Sequence, residues 1–253
     1  MHVSDELCIA SLLQPKRPQP ASVRSFATTR EGGVSLPPYG SFNLGSHVGD
    51  SPEHVAMNRQ RLIELGGLPA APHWLEQVHG TDVIHLTAQT PAIPSLLADA
   101  AYTRERGVVC TAMTADCLPV LFCSKEGDEV AAAHAGWRGL CAGVLENTVA
   151  CFGASPKNIM AWMGPAIGPS QFDVGGEVRE AFMAVDPAAS AAFTPAGAKF
   201  KANIYLLARL RLQSVGITAI YGGEYCTVTD NSQFYSYRRD GITGRLASLI
   251  WLI

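Results

Sequence analysis

Three apolar, strand-like segments follow one another closely at residues 108–113, 118–123 and 129–134. Their connections are only a few residues long, whereas a parallel pair needs a crossover of about a dozen or more. Such strands cannot be successive members of a doubly wound parallel sheet. Helical patterns lie elsewhere in the chain. Ser51-Pro52-Glu53 is a helix start, Val55, Leu62 and Ile63 then fall on one face, and Gly66-Gly67 ends the helix. Leu140, Val144, Leu145, Val149 and Phe152 form one stripe of a helix over 139–152. Further helices are expected over 178–185 and 204–215. Strands are expected over 74–78 and 83–86, around a turn at Gly80, and over 159–163 and 246–253. The fold class that follows is α+β, a single domain with a mixed sheet architecture.

With 47% apolar and 16% charged residues, 253 residues supply a sizeable core. A net charge of −3 argues against nucleic acid or an acidic membrane held by bulk electrostatics. Seven cysteines without a C-x-x-C pair do not make a disulfide framework, so a reducing, cytoplasmic setting is expected. The first residues lack the basic-then-apolar pattern of a secretory signal, and no stretch approaches a membrane span. Pro15-Lys-Arg-Pro-Gln-Pro20 marks residues 1–20 as a stiff, extended lead-in, followed by one domain over 21–253. No exposed apolar helix face or heptad calls for a partner chain, so a monomer is expected.

The chemistry gathers at three metal-capable side chains in apolar surroundings: His79, Cys117 and His134. Two imidazoles and a thiolate make a tetrahedral zinc site with one position open, which separates a catalytic zinc from a structural one. No local spacing joins the three, so only neighbouring strands could bring them together; buried histidines and cysteines without a metal are also common. After His134 the chain runs Ala-Gly-Trp-Arg-Gly into a helix, which places Arg138 and the first helical N–H groups at a turn suited to an anion. A surface arginine that caps the helix fits the same pattern equally well. Asp116, beside Cys117, could orient a histidine ligand or act as acid or base. Neighbours on a strand point to opposite faces, however, which argues against direct participation. Asn43 and His47 stand in a glycine-punctuated loop that could reach a ligand, with turn formation the simpler role for His47. Tyr235-Ser-Tyr-Arg-Arg-Asp240 would suit a nucleoside or phosphate pocket, or a solvated strand edge. Zinc-peptidase, cytidine-deaminase, Walker and dinucleotide signatures are missing from the chain, as is any H-x-H pair of the kind a multicopper cluster needs.

Several segments, in order, resemble the YfiH family, also called the laccase-domain or multicopper polyphenol oxidase family. They are Gly-Gly-Val-Ser-Leu-Pro-Pro-Tyr (32–39), Asn-Leu-Gly-Ser-His-Val-Gly-Asp (43–50), Leu-Glu-Gln-Val-His-Gly (75–80) and Thr-Ala-Asp-Cys-Leu-Pro-Val-Leu-Phe (114–122). His-Ala-Gly-Trp-Arg-Gly (134–139), Gly-Pro-Ala-Ile-Gly-Pro (164–169) and Phe-Tyr-Ser-Tyr-Arg-Arg-Asp (234–240) complete the set. The resemblance implies one α/β sandwich domain with one zinc on His79, Cys117 and His134, copper being the alternative metal. It also implies phosphorolysis of adenosine, inosine and methylthioadenosine, and deamination of adenosine. On that reading the partners are a small nucleoside and phosphate, with Arg138 and Asn43 as substrate contacts and Asp116 or Arg138 as catalytic candidates. Two other activities attach to the resemblance: a copper-dependent phenol oxidase, and an editing hydrolase acting on UDP-muramoyl-L-serine.

Overall fold

The computed structural model describes residues 12–91 and 96–253. Strands β8 (Leu118–Ser124) and β9 (Val130–Ala135) pair antiparallel, with Leu118 opposite Ala135. The strand before them, β7 (Val109–Thr114), does not join that ladder. Residues 115–117 instead turn a corner from one sheet to another, with Asp116 at φ 95°. That corner is where the site forms.

The first sheet has the order β1 (Leu12–Leu13), β2 (Val23–Thr28), β15 (Leu246–Leu252), β7. The second runs β14 (Ala219–Gly222), β10 (Ile159–Met163), β8, β9, β6 (Ala100–Thr103), β4 (Val83–His85). It is mixed: β14 lies parallel to β10 and β4 parallel to β6, while the central pairs are antiparallel. Two small sheets complete the set, β3 (Leu75–Glu76) with β5 (Leu96–Leu97), and β11 (Asp173–Val174), β13 (Lys199–Ala202) and β12 (Phe193–Ala196).

Side-chain alternation assigns the layers. Cys110, Ala112 and Ile250 of the first sheet meet Leu121, Cys123, Ala132 and Trp162 of the second in one dry cluster. On the outer face of the first sheet, Phe26, Val109, Leu249 and Trp251 pack on Leu62 of helix α1 (Pro52–Gly66). On the outer face of the second, Val120, Phe122, Ala131 and Ala161 pack under four helices: α2 (Trp137–Ala142), α3 (Val144–Ala150), α4 (Gly176–Val185) and α5 (Ile204–Ser214). The result is a helix–sheet–sheet–helix sandwich. Truncating a fully buried residue such as Leu121 to alanine costs about 2–5 kcal/mol in a core of this kind.

Helix α1 follows its sequence signals: the Ser51 hydroxyl accepts from the His54 N–H, and Gly67 closes the helix at φ 57°. Two expectations change. The helix over 139–152 is two helices, because Gly143 takes φ 108° and breaks the ladder between α2 and α3. The strand over 74–78 shrinks to Leu75–Glu76, because the amides that follow bond a side chain instead of a strand. Within the lead-in, Leu12 and Leu13 pair with Thr28 and Ala27 at the edge of the first sheet. Residues 1–11 of that lead-in lie outside the described residues. Among the described residues, no helix is long and apolar enough to cross a membrane.

Candidate active site

The β8–β9 register brings the first two metal-capable groups together. Leu118 faces Ala135 and Pro119 faces His134, so Cys117 lies beside the start of the 136–139 turn. His79 arrives differently. It sits on no strand but in the loop between β3 and β4, at φ 61°. A left-handed backbone is uncommon for a residue with a side chain and persists only where its surroundings hold it.

Asp99 does the holding. One carboxylate oxygen accepts from the His79 N–H at 2.9 Å, the other from the Val78 and Gly80 N–H groups at 3.1 and 2.7 Å. The same carboxylate receives His134 Nδ1–H at 2.8 Å. That bond occupies Nδ1 and turns Nε2 toward the site, the side from which a metal would be bound. One fully buried carboxylate thus orients the His134 ring and fixes the backbone of His79. Burial opposes the charge on Asp99, but the bonds from His134 and Gly80 outweigh it and hold its pKa below the usual carboxylate range.

The donor atoms of His79, Cys117 and His134 lie within 4.8 Å of one another, and among the described residues they are the one such group. Cys117 Sγ is 3.7 Å from His79 Nε2. Tetrahedral zinc with ordinary bond lengths separates a sulfur and a nitrogen ligand by about 3.5 Å. The two imidazoles stand edge to face, their centroids 4.8 Å apart. Burial disfavours the Cys117 thiolate, yet the adjoining imidazoles of His134 and His79 bring the thiol below its ordinary pKa. His134 is shifted up despite its burial, by Cys117 and Asp99. The donor set therefore fits a single zinc with one open position.

The glycines of the 136–139 turn have a steric purpose. A Cβ on Gly136 would lie 2.5 Å from His79 Cδ2 and 3.2 Å from Cys117 Sγ. One on Gly139 would lie 2.6 Å from the Gly80 carbonyl oxygen. The turn is bare so that the His79 loop can seat on it. Arg138, expected at an anion site there, is exposed and lies over the Trp137 ring. It does not line the cavity described next.

The trio opens into a cavity of about 630 Å³. Its wall includes His47, Arg59, Trp74, Tyr237 and Arg245. Arg59 donates twice to the Leu44 carbonyl, at 3.0 and 2.8 Å, and lies 4.1 Å over the Trp74 ring; burial pulls its pKa down to about 10. Arg245 is also lowered by burial, opposed by the charges of Cys117, Asp116 and Tyr237. His47, a turn residue on the simpler reading, lines the cavity, and its pKa is lowered by burial and by both arginines.

The other expected contacts turn out to be builders. Asn43 is buried, and its amide is spent inside the protein. Nδ2 donates to Gly45 O and Asp50 Oδ2, and Oδ1 accepts from the Gly45 and Arg245 N–H groups. It has no polar edge left for a substrate. Asp116 bonds neither histidine. Its carboxylate accepts from the Thr227 hydroxyl at 2.6 Å and the Arg238 N–H at 2.7 Å, tying the sheet corner to helix α6 (Tyr237–Asp240). The orienting role expected of Asp116 belongs to Asp99. Of the 235–240 segment only Tyr237 reaches the cavity, since Arg239 is spent on the carbonyls of Thr227, Val228 and Phe234. Asp99 left one trace in the sequence, an acid inside the apolar run Leu96-Leu-Ala-Asp-Ala-Ala-Tyr102. Arg59 and Arg245 left none.

The profile of the family described as "Multi-copper polyphenol oxidoreductase laccase" matches residues 24–253. "Purine nucleoside phosphorylase YfiH" of Escherichia coli K12 is 62% identical, over 97% of this chain and the whole of that protein. The chain belongs to the YfiH family. Another relative, a Pseudomonas aeruginosa protein also named purine nucleoside phosphorylase, is 54% identical over 95% of this chain and 98% of its own. YfiH-family crystal structures share the fold. A Neisseria meningitidis protein superposes with a TM-score of 0.91 at 48% identity, covering 96% of this chain and 99% of that one. A YfiH protein of Bacillus licheniformis gives 0.86 at 30% identity, covering 91% and 93%.

Proposed function

We propose that this YfiH-family chain is a zinc-dependent purine nucleoside phosphorylase, acting on adenosine, inosine and methylthioadenosine, that also deaminates adenosine. The observation that carries the proposal is the convergence of His79, Cys117 and His134 on a cavity of about 630 Å³, a size that ordinary ligand sites share. The activity named for the 62% and 54% identical relatives supports the choice of reaction. When bound, zinc supplies a Lewis-acid centre with one open coordination position. Asp99 keeps the His134 imidazole turned toward the point where the three donors would hold the metal, and seats the His79 loop. Trp74 and Tyr237 offer aromatic surface for a purine to pack on. In phosphorolysis a phosphate oxygen bonds to C1′ while the C1′–N9 bond breaks. The bonding pair leaves with the purine, which takes up a proton, and ribose 1-phosphate results. In deamination a water oxygen adds at C6 and the amino group departs as ammonia. The two reacting carbons lie far apart on a nucleoside, so the cavity must accept it in two poses.

The profile's description favours a second reading, a copper phenol oxidase. Against it, the described residues assemble one three-donor group, enough for one metal ion, whereas a multicopper cluster needs several such groups. The six unpaired cysteines among the described residues are in keeping with a cytoplasmic setting. Cys117→Ala is the direct test, with hypoxanthine and ribose 1-phosphate measured from inosine and phosphate, alongside the metal content. One zinc per wild-type chain and a variant reduced to background are expected. Full activity in the variant would remove the metal from the reaction. Turnover that consumes oxygen and requires added copper would replace the phosphorylase reading with the oxidase.

A further inference from the structure

We infer that Arg245 and Arg59, both in the lining of the cavity, form its anion-binding wall and hold the inorganic phosphate that phosphorolysis consumes. The inference rests on the phosphorylase reading above. It departs from the sequence-based expectation, which put the anion at the 136–139 turn with Arg138.

Two guanidiniums half-withdrawn from water need an anionic partner, because a cation drawn out of water is costly unless paired. Among the described residues neither Arg59 nor Arg245 forms an ion pair; the cations that do are His54, Arg104, His134, Lys201, Arg211 and Arg239. Arg59 spends Nε and Nη2 on the Leu44 carbonyl, leaving Nη1 without a protein acceptor. Arg245 spends Nη1 on the Thr243 and Gly244 carbonyls, leaving Nε and Nη2 without one. Free donors thus remain on two guanidiniums whose residues both line the chamber that holds the trio, and both charges act on His47 in the same lining.

The wall is built by local structure. Asn43 Oδ1 accepts from the Arg245 N–H at 2.9 Å, and the next carbonyl along, Leu44, anchors Arg59. Gly45 is bare because a Cβ there would lie 2.7 Å from Arg245 Cγ. Asn58, buried one residue before Arg59 on α1, donates to the Ser41 and Asn43 carbonyls and fixes the same loop. The 43–47 loop thus sets both guanidiniums, and its Ser46 and His47 complete the lining.

Charge and donor number select the ligand. Two fixed positive charges match a phosphate dianion, whereas a single carboxylate would leave one cation unpaired. Guanidinium forks suit a phosphoryl group bidentately. Such a group could come from inorganic phosphate or from a phosphorylated or nucleotide-linked substrate, and the test separates the two.

Steady-state kinetics on zinc-loaded protein, with inosine and phosphate varied in turn, should show KM for phosphate rising about ten- to hundredfold in Arg245→Gln. KM for inosine should stay near wild type, and Arg245→Lys, which keeps the charge, should recover part of the loss. A phosphate KM within about twofold of wild type in Arg245→Gln overturns the assignment. Wild-type protein gives a reading that needs no variant: inorganic phosphate should shield Arg59 and Arg245 from phenylglyoxal, as located by peptide mapping. Modification at both positions unaffected by phosphate overturns the assignment, as does shielding by UDP-linked compounds alone. If wild-type protein fails to split inosine in the presence of phosphate, the phosphorylase reading falls; shielding by inorganic phosphate would still uphold the anion wall.

Discussion

Cys117 and His134 belong to a sheet, whereas His79, the third member of the trio, belongs to a loop that no strand supports. The first two are placed by the β8–β9 register, a ladder buried on both faces. The third is placed by one side chain, since the amides of Val78, His79 and Gly80 all end on Asp99. Even the lead-up to the loop relies on a side chain. The Gln77 amide donates to the Met113 carbonyl and accepts from the Met113 N–H, both at 2.7 Å, occupying the place of a strand neighbour on β7. A candidate metal site is thus stiff in one half by backbone ladder and stiff in the other only through a single carboxylate. The second half is the vulnerable one.

Asp99→Ala should break that contrast most severely. It strands His134 Nδ1 and three amides around an emptied buried position, and losing one partner of a buried pair typically costs about 3–5 kcal/mol. Chemical denaturation of metal-free protein measures it. A loss below about 1 kcal/mol would mean that something other than Asp99 holds the loop.

Gly136→Ala should act on the site more than on the fold. The new methyl meets the far end of the His79 side chain, which can swing away at small cost to stability. The displaced imidazole should weaken metal binding by about 10- to 100-fold, the range seen when a ligand loses its support. Competition with a calibrated chelator reads this directly. Unchanged affinity would show that His79 does not need the space that Gly136 leaves.

The smallest effect is expected from removing the metal. Amides of residues 78–80 should exchange hydrogen several-fold faster in chelator-treated protein, while amides of 131–135 keep their rate. Equal acceleration in both segments would erase the distinction between the ladder and the loop.

Much of this was legible in the sequence. The strands over 109–114, 118–124 and 130–135 were legible to within a residue as the mostly apolar stretches 108–113, 118–123 and 129–134, and 52–66 shows as a helix through Ser51 and Gly67. His79, Cys117 and His134 stand out because metal-ligating side chains are conspicuous among apolar neighbours. The glycines of the 136–139 turn were visible, but their purpose was not: the contacts that demand them lie on the His79 loop, more than fifty residues earlier. Arg138 looked like the anion's partner because it is next to His134 in sequence, yet its side chain lies over Trp137 outside the cavity.

The sequence by itself determined many of the elements and which metal-capable side chains the chain carries, since apolar periodicity and donor type are local properties of a chain. The tertiary structure alone decided that residues 115–117 cross between sheets, that Asp99 bonds the His134 ring and the His79 backbone, and that Arg59 and Arg245 line one cavity. A buried acid or a half-buried arginine is settled by partners that only packing supplies, and no local pattern records which distant element will bring them.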